Sequence, residues 1–174
     1  MKKIILYFLI IFISMSLEVF SESLISRYTL IQNKDNTFIL KVFDEKDTVV
    51  YQESFEKEPF IEVLNKQVIK IRISVGSPQN YTYFYDISAK KISNIYDNAL
   101  LIEDGKVIFL IEDKLIVSDY MGKKYYLSKK LKNLAHTAVP VSAIVSVKLF
   151  NENKIEIVYF NQNFDEISEE FQWK

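Results

Sequence analysis

From about residue 25 to its end, the chain alternates short β-branched and aromatic runs with polar turns, and almost no stretch spaces its apolar residues as a helix would. A period of two is the spacing of a strand with one covered face. It predicts strands at 25–32, 37–43, 48–54, 60–64, 67–74, 81–86, 91–96, 99–102, 106–111, 114–119, 124–128, 141–149, 154–160 and 164–172. The expected fold class is therefore all-β.

Four segments of this pattern overlay: NTFILKVFDEKDTVV from Asn36, YTYFYDISAKKIS from Tyr81, DKLIVSDYMGKKYYL from Asp113 and NKIEIVYFNQNFDEIS from Asn153. Each is an alternating strand, a polar turn and a second alternating strand. Their spacing falls within the period of roughly 20–50 residues typical of repeat architectures. The stretch Leu100–Leu127 carries turn signals at Asp104-Gly105, Glu112-Asp113 and Met121-Gly122, and reads as one four-stranded unit. About four propeller-like antiparallel meander repeats fit in 24–174 as a single domain. A β-sandwich or an irregular barrel is the alternative, because any antiparallel protein yields strand-turn-strand units. An open half-ring completed by a second copy would make a homodimer.

The segments TYFYDISAKKIS and KLIVSDYMGKKYYLSK resemble small exported bacterial proteins with β-propeller-like repeats, in which a strand is followed by Asp and a Lys-rich turn. Asp86 and Asp119 match that position, while Phe43-Asp44 and Tyr159-Phe160 depart from it. The resemblance is closest over 60–130. It implies a repeat fold and an extracytoplasmic address, and carries no catalytic residue.

Ahead of the strands, Lys2 and Lys3 precede an apolar run from Ile4 to Leu17 broken only by Ser14 and Ser16, which is the order of a secretory signal. Residues 1–21 are the expected signal peptide, with cleavage after Ser21 or Ser23. An uncleaved membrane anchor is the alternative, since the run approaches the ~18–20 residues that span a bilayer. The expected location is secreted, or periplasmic and cell-envelope. The chain has no cysteine, so neither lipidation at a signal-peptide end nor a disulfide is open to it, and stability must come from an ordinary core. The mature chain would be slightly acidic, which excludes the basic footprint of a nucleic-acid binder and the polybasic segment that holds a protein on an anionic membrane.

Motifs for chemistry are sparse. His136 is the sole histidine, with no glycine-framed serine near it, and one imidazole cannot make a zinc site. Three scattered glycines cannot form a phosphate loop, and no calcium-loop pattern occurs, so no cofactor and no metal is expected. Acidic pairs at Asp44-Glu45, Glu103-Asp104, Glu112-Asp113, Asp165-Glu166 and Glu169-Glu170 admit too many two-carboxylate combinations to single one out. Such acids on turns and edges commonly serve solubility.

The aromatic residues carry more information. Tyr81, Tyr83 and Tyr85 share one strand face, and Tyr120 and Tyr125 belong to a second group. An exposed row of tyrosines would stack on sugars or anchor a protein, whereas an inter-sheet core would bury the same row with hydroxyls at its rim. These five are the candidate ligand-binding residues. The expectation is a non-enzymatic binding or interaction module with a protein or glycan partner. The alternatives are a carboxylate-dependent glycan hydrolase and an inhibitor or immunity-like protein.

Overall fold

Fifteen strands in the computed structural model, which describes residues 28–65, 67–76 and 79–174, make four antiparallel sheets that follow one another along the chain. The expected leader and residues 66, 77 and 78 lie outside the described residues. The first sheet joins β1 (Tyr28–Gln32), β2 (Phe38–Phe43) and β3 (Val49–Phe55). In the second, β4 (Phe60–Asn65), β5 (Val68–Gly76), β6 (Gln79–Asp86) and β7 (Lys91–Ile92) lie in order, with β8 (Tyr96–Asp97) also on β6. The third is β9 (Leu101–Glu103), β10 (Lys106–Ile111), β11 (Lys114–Asp119) and β12 (Tyr125–Lys130), which is the four-stranded unit expected for that stretch. Strands β13 (Ile144–Asn151), β14 (Lys154–Phe160) and β15 (Glu166–Gln172) make the fourth.

Two expected strands differ from those observed. The run 91–96 is broken into β7 and β8, because Ser93 turns its hydroxyl to accept the Phe84 amide at 2.9 Å and so replaces a ladder bond. The run from 141 opens as a 3-10 turn, Pro140–Ala143, since proline has no N–H to give a ladder.

Side-chain alternation decides how the sheets meet. Leu40, Val42 and Phe55 of the first sheet share a core with Ile69, Ile71, Tyr83 and Tyr85 of the second. On the opposite face of the second sheet, Phe84 and Tyr96 pack with Val107, Phe109 and Ile116 of the third. The other face of the third carries Ile108, Leu115 and Val117 against Ile155, Ile157 and Tyr159 of the fourth. The sheets therefore stack face to face in chain order, and the two middle ones are buried on both sides. That is why KVIFLI and KLIVS read as nearly continuous apolar runs, whereas EISEEFQ in β15 alternates. A two-layer sandwich would bury one face of each sheet and a barrel would close a sheet on itself. None of the four closes.

The last hairpin of three sheets turns on one chemistry. Asp44 accepts the amides of Lys46 and Thr48 at 2.9 and 3.0 Å, Asp119 those of Lys123 and Lys124 at 2.9 Å each, and Asn161 those of Asn163 and Asp165 at 2.8 and 3.0 Å. In the second sheet Asp86 accepts the Ala89 amide and the Ser88 hydroxyl. Asp44, a departure from the Asp-turn pattern by sequence, thus does the work of Asp119.

Three residues after Asp44, Asp119 and Asn161, the backbone turns left-handed at Asp47, Gly122 and Phe164, with φ of 56°, 66° and 63°. Asp and Gly accept that conformation readily, while Phe does not. Phe164 is also 71% exposed, so its ring recovers little by packing. Phe164→Gly is expected to raise stability by up to about 1 kcal/mol, the relief of strain less the chain entropy that glycine adds, read as a higher urea midpoint. At Gly122 the opposite holds, because a Cβ there would stand 3.0 Å from Asn94 Nδ2 and 3.1 Å from Tyr96 Oη. Gly122→Ala should cost about 1–2 kcal/mol in the same measurement.

Candidate functional site

The five sequence-selected tyrosines do not form one surface. Tyr83 and Tyr85 are 5% and 2% exposed in the core between the first and second sheets, so neither ring is open to a ligand. Period two placed them correctly on one face, but the first sheet covers that face. Tyr85 stacks on Tyr51 with centroids 4.5 Å apart and donates its hydroxyl to the Val50 carbonyl at 2.9 Å. Tyr81, beyond that core, is 41% exposed. Tyr120 is half-buried, stacks on Phe84 at 4.7 Å and accepts the Gly105 amide at 3.2 Å. Tyr125 is exposed on β12, a different sheet from Tyr81.

Two tyrosine–glutamate clasps were missed by sequence reasoning. Tyr51 and Tyr83 both donate hydroxyls to the half-buried Glu53 carboxylate, joining the first sheet to the second. Burial, reinforced by these bonds to a carboxylate, pushes both phenols well above their ordinary range. They stay protonated donors to Glu53, and the clasp fastens the two sheets together. Tyr159 bridges the Lys132 carbonyl at 3.1 Å and Glu169 at 2.9 Å, and burial raises it to about 12. The alternation in VVYQESF sets Tyr51 and Glu53 on one face, which was the available signal. Their partner Tyr83 stands 30 residues away, and no local pattern reports that.

The turns instead frame a polar cleft of about 740 Å³ at the ends of the third and fourth sheets, lined by Glu112, Asp113, Lys114, Lys130, His136 and Gln162 among others. Three connections build it: the β10–β11 turn, the segment after β12, and the β14–β15 turn. Lys130 pairs with Asp113 at 2.8 Å, and this bond holds the Asp113 carboxyl below the usual range. His136 Nε2 lies 3.1 Å from Gln162 Nε2. No Phe, Tyr or Trp lines this cleft among the described residues. A smaller cleft of about 330 Å³ shares Glu112 and Pro140 and extends to Gln79, Asp97 and Asn98. The described residues contain no group of three or more His, Cys, Asp or Glu able to hold a metal ion, and no helix long and apolar enough to cross a membrane.

With this geometry in hand, comparison with known proteins returns no matching family model and no matching curated protein.

Proposed function

We propose that the chain is an exported, non-enzymatic binding module of the cell envelope or exterior, built of four propeller-like repeats whose loops contact a protein or a glycan. The observation that carries this reading is the division of labour in the fold. The sheets spend their faces on one another, while the turns frame clefts of mixed charge over a fixed scaffold, the usual place for recognition. The four final hairpins, turning at Asp44, Asp86, Asp119 and Asn161, support a repeated unit. Export rests on the leader sequence.

The hydrolase alternative needs two acids roughly 5–10 Å apart, with one held protonated as general acid. Asp113, ion-paired and kept acidic, would serve such a pair as its ionised member and not as the general acid. Incubating the exported protein with insoluble envelope and plant polysaccharides tests the choice. Retention without release of reducing ends supports the module. Reducing ends that disappear in Glu112→Gln would replace it with the hydrolase. Mass spectrometry of the exported form reads the leader: a chain beginning at residue 22 or 24 supports cleavage, and one that retains Met1 makes the segment an anchor.

Among the described residues the first and last sheets have no neighbouring sheet on their outer faces, which suits the homodimer that would complete a ring. Light scattering on the exported form reads it directly, since a mass of one chain at all concentrations ends the shared-ring idea.

A further inference from the structure

Lys106 opens β10 on the face that looks toward the fourth sheet, one residue before Val107, which faces the second. It is only 8% exposed. Its ammonium can donate three hydrogen bonds. The protein supplies one carbonyl, that of Asp104 at 3.2 Å, and the face of Tyr126, whose centroid is 5.9 Å from Nζ. Lys124 brings a second ammonium to the same ring at 4.6 Å. Neither lysine has a carboxylate within ion-pair distance among the described residues.

Both lysines line one open cleft of about 600 Å³ between the third and fourth sheets, together with Tyr126, Trp173 and Asn153. Lys174 also lines it, and Glu152 is its one acidic side chain among the described residues. Two ammoniums on one aromatic ring make a positive spot whose unspent donors suit a carboxylate. The Asn153 amide and the Tyr126 hydroxyl beside it are neutral partners of the kind that hydrogen-bond sugar hydroxyls.

We infer that this cleft binds the carboxylate of an acidic sugar, a uronate unit of a glycan. The site is separate from the cleft around His136, so its failure would leave the loop-binding reading standing, and the reverse holds too.

The test is a calorimetric titration of the exported protein with trigalacturonate at low salt, beside maltotriose and triglutamate. Saturable binding of trigalacturonate, weakened about tenfold or more in Lys106→Met and in Lys124→Gln and weakened by added salt, is the expected result. Absence of saturable binding overturns the inference. So does equal binding of maltotriose, which would show that the charge is not read, or equal or tighter binding of triglutamate, which would make the cleft a peptide site. Parent-like affinity in both variants overturns it as well. Lys124 is exposed, so Lys124→Gln carries the test alone if the buried substitution impairs folding.

Discussion

Replacing Phe84 by alanine is expected to lower unfolding free energy by about 3–5 kcal/mol. Phe84 is fully buried, and it lies edge-on to Tyr96 at 5.9 Å and stacked on Tyr120 at 4.7 Å. Its ring is the second sheet's main contribution to the core shared with the third. Truncation removes the transfer free energy of a large apolar ring and leaves a cavity that two covered sheets cannot easily collapse into. A domain of this size has only about 5–15 kcal/mol in hand, so the melting temperature should fall by roughly 10 °C. Tyr81→Ala, three residues earlier on the same strand and 41% exposed, should cost less than about 1 kcal/mol. Urea unfolding of the two variants side by side checks the contrast.

Alkali is expected to unfold the protein cooperatively above about pH 10, the ordinary phenol value. Burial is the leading cause that raises Tyr51, Tyr83, Tyr85, Tyr96, Tyr120 and Tyr159 above that value, and Tyr159 reaches about 12. Below pH 10 the phenols are protonated in both folded and unfolded chains and favour neither. Above it the unfolded chain loses these protons while the native one keeps them, so stability declines as pH climbs toward the folded values. Tyrosinate absorbance and far-ultraviolet dichroism should change together in one steep transition. A gradual titration of the tyrosines near pH 10, with the β signal intact, would contradict the buried clasps.

The all-β class and the final hairpins were legible because period two and turn chemistry act over a few residues. Asp119 and Gly122 announce their turn, and KVIFLI announces a strand with no wet face. The partner of each face was not legible. The row Tyr81, Tyr83 and Tyr85 reads as one face whether water or another sheet lies above it, and only the first sheet's packing settles that two of the three are covered. Lys106 was hidden for the same reason. A lysine at a strand start looks like a solvated residue until Trp173, far along the chain, is brought beside its cleft. Asp44 was passed over because a rule learned from Asp86 and Asp119 was applied to identity rather than to the amides that a carboxylate can reach.

The central claim is that neighbouring side chains of one strand belong to different cores, because the second sheet is sandwiched between the first and the third. Aromatic-edited nuclear Overhauser spectra on selectively labelled protein test it at β6. Tyr85 should show ring contacts to Tyr51, and Phe84 to Tyr120, with no contact from Tyr51 to Phe84 or from Tyr85 to Tyr120. Spectra in which Tyr85 and Phe84 both contact the same partner ring would place one core where two are described, and would contradict the stack.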